Sequence, residues 1–178
     1  YLPIMKKLIL LFTLISFSIS AQETEKKDYS KNVATLDSTI ESLYTVISGD
    51  KGFKRDWALF KHLFHKKAKL IPTGKTEKGE TISRYMTPES YIETSGEWLT
   101  QNGFHEREIY RTVETFGNIT HVFSTYESYR TKTDDKAFMR GINSIQLMYD
   151  GTRWWIINIF WLQESKENPI PEAYLPKG

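Results

Sequence analysis

The stretch Phe138–Leu162, FMRGINSIQLMYDGTRWWIINIFWL, decides the fold. Two runs rich in β-branched and aromatic residues flank Asp150-Gly151, a pair suited to a tight turn with positive φ. The expected hairpin sets Tyr149 opposite Thr152. Counting outward pairs Leu147 with Trp154, Ile145 with Ile156, Asn143 with Asn158 and Gly141 with Phe160 on one face, because strand side chains alternate. The other face carries Gln146 with Trp155, Ser144 with Ile157, Ile142 with Ile159 and Arg140 with Trp161. The second strand is apolar on both faces, so it is expected inside a sheet and covered on both sides.

Outward from that hairpin, the same logic places two more long strands, Phe104–Phe116 and Ile119–Thr131, around Gly117-Asn118. Upstream, Val33, Leu36, Ile40, Leu43, Tyr44 and Ile47 recur at helical spacing, with Gly49 as a stop. Asp56 is suited to cap a second helix bearing Trp57, Phe60, Leu63 and Phe64, and Thr87-Pro88-Glu89 to open a third with Tyr91, Ile92, Trp98 and Leu99. AKLIPTG and TISRYM between them read as short strands. The order α, α, β, β, α, then four long antiparallel strands predicts an α+β fold: three N-terminal helices on a strongly curved, mainly antiparallel sheet that encloses a pocket.

The two ends read differently. Met5 reads as the start of translation; Lys6-Lys7, the apolar run LILLFTLISFSI and a small-residue exit at Ala21 describe a secretory signal peptide over 1–21. The run is shorter than the ~20 residues of a spanning helix, so no membrane anchor is expected after cleavage. Residues 22–31 read as a disordered lead-in, 32–163 as the domain, and 164–178, with three prolines in ENPIPEAYLP, as an extended tail. Taking Lys6 and Lys7 from the 24 basic residues leaves 22, against 22 acidic ones. A chain of zero net charge does not suit electrostatic nucleic-acid binding. With no Cys there is neither a disulfide nor a lipid-anchored cysteine, and stability falls to a core fed by 14% aromatic residues.

Three places are candidates for chemistry. Asn143 and Asn158 stand on an otherwise apolar face, where amides can orient a ligand or satisfy one another. In a two-residue turn at Gly117-Asn118, Glu114 faces His121 and Glu108 faces Glu127; a carboxylate pair in a dry pocket raises one pKa, as a general acid needs. His62 and His65 lack an evident third ligand, and no metal or cofactor is expected.

The strings LFHKKAKLIPTG and DGTRWWIINIFW, with the element order, resemble the nuclear transport factor 2-like (NTF2-like, SnoaL-like) superfamily over about Val33–Leu162. RDWALFKHLF, FGNITHVFSTYES and RGINSIQLMYDGTRWW resemble a group of exported bacterial proteins of unknown role within it. The resemblance implies a cone with a pocket between sheet and helices. Many members of the superfamily carry a His-x-His where this chain reads Asn158-Ile159-Phe160, and likeness to its ketosteroid isomerases implies a general-base carboxylate near Leu70-Ile71-Pro72, where there is no acid. The resulting expectation is an exported binding domain, not catalytic, holding a small apolar molecule among Tyr44, Trp57, Phe60 and Trp98, with Asn143, Asn158 and Tyr126 as polar handles. The alternatives are an isomerase, dehydratase or cyclase using Glu108/Glu127 or Glu114/His121, and an interaction module that forms a homodimer.

Overall fold

A computed structural model describes residues 27–177. The expected leader, 1–21, and residues 22–26 of the lead-in lie outside the described residues. Residues 27–31 are held against the domain: the Tyr29 hydroxyl donates to Asp56 Oδ1 at 2.9 Å and Lys27 Nζ donates to its Oδ2 at 2.8 Å.

Each helix begins where a side chain can satisfy the first free amides. For α1 (Leu36–Ile47), Thr35 and Ser38 form a reciprocal capping box. For α2 (Trp57–Leu63), Asp56 accepts from the Leu59 amide at 3.0 Å. For α3 (Pro88–Asn102), Thr87 accepts from the Ser90 amide at 3.2 Å, and Pro88 sits where its missing N–H costs nothing. The strands are β1 (Phe64–Lys75), β2 (Thr81–Ser83), β3 (His105–Phe116), β4 (Ile119–Tyr129), β5 (Met139–Tyr149) and β6 (Trp154–Gln163).

The strands form one sheet in the order β2-β1-β6-β5-β4-β3, with β1–β6 parallel and the other pairs antiparallel. The helices cover its inner face, where Ile40, Phe60, Leu63, Val122, Ile145 and Ile156 are 0–1% exposed. β6 is internal, as its two-faced apolar pattern requires. Its outer face is not fully covered, for Phe160 and Leu162 remain exposed. The tail crosses that outer face further along the sheet: Tyr174 packs on Phe123, and Thr125 Oγ1 donates to the Tyr174 carbonyl at 2.6 Å.

The β5–β6 hairpin departs from the expected register. Tyr149 faces Trp154, so Asp150–Arg153 form a four-residue loop. Asp150 explains this: its Oδ1 accepts from the Thr152 and Arg153 amides at 2.9 Å each, and its Oδ2 accepts from Trp155 Nε1 at 2.6 Å. An Asx-type turn of this kind outweighs the two-residue turn. Ile157 is then an extra, bulged residue, and beyond it Asn158 faces Gln146 while Asn143 faces Trp161. The expected Asn143–Asn158 and Arg140–Trp161 pairs therefore do not form. Arg140 instead grips Glu164 with two bonds, of 2.8 and 3.0 Å.

The β3–β4 turn at Gly117-Asn118 has its two residues, and Glu114 does face His121. A register shift at Ile109 then sets Glu108 opposite Tyr126 and Glu127 opposite Arg107, which dissolves the expected Glu108–Glu127 pair. In β5, a Cβ on Gly141 would lie 2.5 Å from the Tyr126 hydroxyl and 2.6 Å from the Leu162 carbonyl oxygen. Gly141→Ala is therefore expected to cost about 2 kcal/mol, read from the urea midpoint, since backbone cannot step aside as a side chain does. An unchanged midpoint would mean that the strands are further apart than described.

Candidate functional site

A cavity of about 220 Å³ lies between the inner sheet face and the helices. Its walls are apolar and largely aromatic: Phe60 from α2, Tyr91 and Trp98 from α3, Phe104 ahead of β3, and Ile159 and Trp161 from β6. Strand alternation sends three polar groups inward from neighbouring strands, namely Glu106 of β3, Tyr126 of β4 and Asn143 of β5.

Glu106 is the chemically distinctive group. Burial in this apolar space pushes its carboxyl up from 4.5 to about 7, against the opposing pull of hydrogen bonds from Ser128 and Asn143. Ser128 Oγ donates to its Oε2 at 3.0 Å. Glu106 is partly buried and forms part of the cavity wall. Burial also holds the hydroxyls of Tyr44, Tyr91 and Tyr126 well above the usual tyrosine range, and the charge of Glu106 adds to each shift.

Behind the cavity runs a directed chain of hydrogen bonds. Asn143 Nδ2 donates to the Tyr44 hydroxyl at 3.1 Å, Tyr44 and Ser124 are 2.7 Å apart, and Ser124 Oγ donates to Glu108 at 2.7 Å. Because the Ser124 proton goes to Glu108, the Tyr44 proton must go to Ser124. Tyr44→Phe breaks the chain in its middle and leaves Asn143 with a donor to place. It is expected to cost about 1–2 kcal/mol in chemical denaturation, and clearly less on an Asn143→Leu background. Strict additivity would argue against the chain. Glu108 ends it, half-buried, 2.9 Å from Arg111; burial raises its pKa while Ser124 and Arg111 pull it down.

The structure thus brings Phe60, Trp98, Tyr126 and Asn143 together at the cavity and puts Tyr44 one hydrogen bond behind it. Trp57 packs edge-on against the far side of Phe60 and over Gly96. Asn158 belongs to the outer face because of the Ile157 bulge; its Oδ1 is buried without a hydrogen-bond partner among the described residues. Glu127 is on the outer face too, bonded by the Tyr129 hydroxyl and 3.4 Å from Arg107. His62 stacks with Tyr29 and meets Arg153, and His65 lies edge-on to Trp155. Glu106 is the residue that sequence reasoning missed. The available signal was its i,i+2 relation to Glu108, which puts both carboxylates on the face turned to the helices.

Glu114, His121 and Ser144 form an arrangement of their own on the outer face. Ser144 Oγ is 2.9 Å from His121 Nε2, and Glu114 lies 3.9 Å from His121 Nδ1. The parts are those of a nucleophile triad, but β4 and β5 are internal strands whose backbone amides are used in the ladders and are not free to serve as oxyanion donors.

No family model and no curated protein matches the chain. Solved structures do. An NTF2-like protein of unknown function from Silicibacter pomeroyi aligns at 16% identity and TM-score 0.50, over 78% of this chain and 100% of that one. An NTF2-like superfamily protein from Salmonella enterica serovar Typhimurium aligns at 17% identity and TM-score 0.52, over 76% and 92%. A candidate ketosteroid isomerase from Parabacteroides distasonis aligns at 15% identity and TM-score 0.51, over 77% and 98%. The protein has the NTF2-like superfamily fold, as its sequence led us to expect; at these identities the likeness concerns the fold and not the activity.

Proposed function

We propose that the protein binds a compact, mostly apolar small molecule in the cavity between its sheet and helices. The observation that carries this reading is the cavity itself, with aromatic walls and a few convergent polar groups, Glu106, Tyr126 and Asn143. At about 220 Å³ it suits a molecule of one or two rings, below the size of most drug-binding sites. Ser95 lines the same space, and Ser95→Phe would fill it. Apolar compounds of that size are expected to raise the melting temperature of the parent protein and not of Ser95→Phe. Equal responses in both, or none in the parent, would remove the reading.

A second reading is an isomerase, dehydratase or cyclase. It is favoured by one observation, the Glu106 carboxyl poised at about 7, where a general base operates best. Glu108, Glu127, Glu114 and His121 lend it no support, since none lines the cavity. Solvent deuterium exchange into small enolisable ketones, lost in Glu106→Gln, is the test. A third reading, a homodimer through the outer face, is supported by the exposed Phe116, Ile119, Phe160 and Leu162; sedimentation over a range of concentrations tests it. Export remains part of the proposal and rests on residues 5–21; an intact mass from the native host beginning near Gln22 would support it.

A further inference from the structure

Deepening the binding reading, on which it rests, we infer that the ligand is an organic amine in its ammonium form, its charge set against Glu106 and its apolar body among the rings of Tyr91, Trp98, Phe104 and Trp161. The starting point is charge. Glu106 lies at the cavity wall, and no lysine, arginine or histidine among the described residues lies within ion-pair distance of it. The nearby cations are committed elsewhere. Arg107 points to the outer face towards Glu127, Arg111 lies between Glu108 and Asp37, and Arg55 donates to backbone carbonyls. Two neutral donors, Ser128 and Asn143, are what hold the carboxylate. A buried carboxylate left with neutral partners is costly, and a cationic ligand supplies what the fold does not.

The walls point the same way. Ring faces attract a cation, most strongly where water is excluded, and the cavity places Phe60, Tyr91, Trp98, Phe104, Tyr126 and Trp161 around one carboxylate. Among the described residues no lysine, arginine or histidine lines the cavity, and the guanidinium over the Trp98 ring, that of Arg130, is not part of its wall, so an anionic ligand finds no cation in the lining. A neutral carbonyl ligand can accept from the Tyr126 hydroxyl or the Asn143 amide at any pH, and from Glu106 only while that carboxyl is protonated.

That difference sets opposite pH dependences. An ammonium ion binds the ionised carboxylate, so its affinity should rise as pH increases through about 7, whereas a carbonyl ligand accepting from the acid form should weaken over the same range. The other titratable groups near Glu106 do not interfere. Tyr44 from α1, Tyr91 from α3 and Tyr126 from β4 are raised and stay protonated; Arg55, which bears on Tyr91, stays charged. Glu108, two residues along β3, is tied to Ser124 and Arg111.

Tryptamine and its neutral counterpart tryptophol, nearly equal in shape, make the test by calorimetry. At about pH 8.5 tryptamine is expected to bind at least about tenfold more tightly, and at about pH 5.5 the two should come within about threefold. Glu106→Gln should lose the preference for the amine over tryptophol at the higher pH. Equal affinities at the higher pH, or a preference that survives Glu106→Gln, would overturn the amine inference while leaving the binding reading intact. Failure of both compounds to bind the parent protein would overturn both.

Discussion

A Glu106→Gln variant is expected to be more stable than the parent protein at alkaline pH and equal to it in acid. The folded carboxyl titrates at about 7, whereas its ordinary value is 4.5. Between those two values the folded state keeps a proton that the unfolded chain has released, so stability is fullest below about 4.5 and falls as pH rises through about 7. A gap of about 2.5 units corresponds to about 3 kcal/mol. Glutamine keeps a carbonyl to accept from Ser128 and has no charge to desolvate, so the difference should open over this window and stay constant above it. Glu108 is also raised but is present in both proteins and cancels. Urea midpoints measured from about pH 4 to about pH 9 give the result directly. Parallel curves for the two proteins would mean that the carboxyl is well solvated, and the cavity would lose its distinctive group.

That carboxyl shows how far the sequence could be read and where it stopped. The long-range layout followed from local signals that agree with one another: Asp56, Thr87 and Pro88 begin helices where capping chemistry predicts, and WWIINIFWL, apolar on both faces, lies inside the sheet. What was not legible was parity along two strands. A bulge costs one residue and leaves the hydrophobic pattern almost unchanged, because β-branched and aromatic side chains serve either face. Ile109 separates Glu108 from Glu127, and Ile157 sends Asn158 outward after the longer hairpin loop had already moved it away from Asn143; the composition conceals both bulges. The hairpin loop was misjudged for a different reason. Asp-Gly satisfies a two-residue turn, but Asp150 gains four donors by capping a longer one. Glu106 was overlooked because a carboxylate in an otherwise polar run, HERE, reads as a solvated strand. Only the position of α1 over β3, with α3 across the cavity, makes that face an interior one.

Replacing Arg55 by methionine is expected to have the larger effect. Arg55 is 5% exposed, and its guanidinium serves carbonyls instead of a carboxylate. Nε donates to Ile47 O at 3.2 Å, Nη1 to Phe53 O at 2.6 Å, and Nη2 to Gly49 O at 2.8 Å and Phe104 O at 3.5 Å. These oxygens belong to the end of α1, the loop after it and the residue before β3. The Gly49–Phe104 backbone bridge, with bonds of 2.7 and 3.0 Å, joins the same points. Methionine removes the desolvation cost of a buried cation, which by itself favours the variant. Against that, bonds from a charged donor are worth about 1.5–3 kcal/mol each, and although the Gly49 and Phe104 oxygens keep each other's amides, the Ile47 and Phe53 oxygens lose the guanidinium without a replacement. With three bonds of good length and one long one, the loss outweighs the gain, and about 4 kcal/mol is the expected net cost. Arg55→Lys should recover less than half of it, because one ammonium cannot span the fork. The damage should also reach the cavity, since Phe104 forms part of its wall and Glu106 follows two residues later. Equilibrium unfolding measures the cost, and hydrogen exchange at the Gly49 and Phe104 amides locates it. A loss below about 1 kcal/mol, with both amides still protected, would show that solvent can replace the guanidinium at these carbonyls and that the α1–β3 junction holds without it.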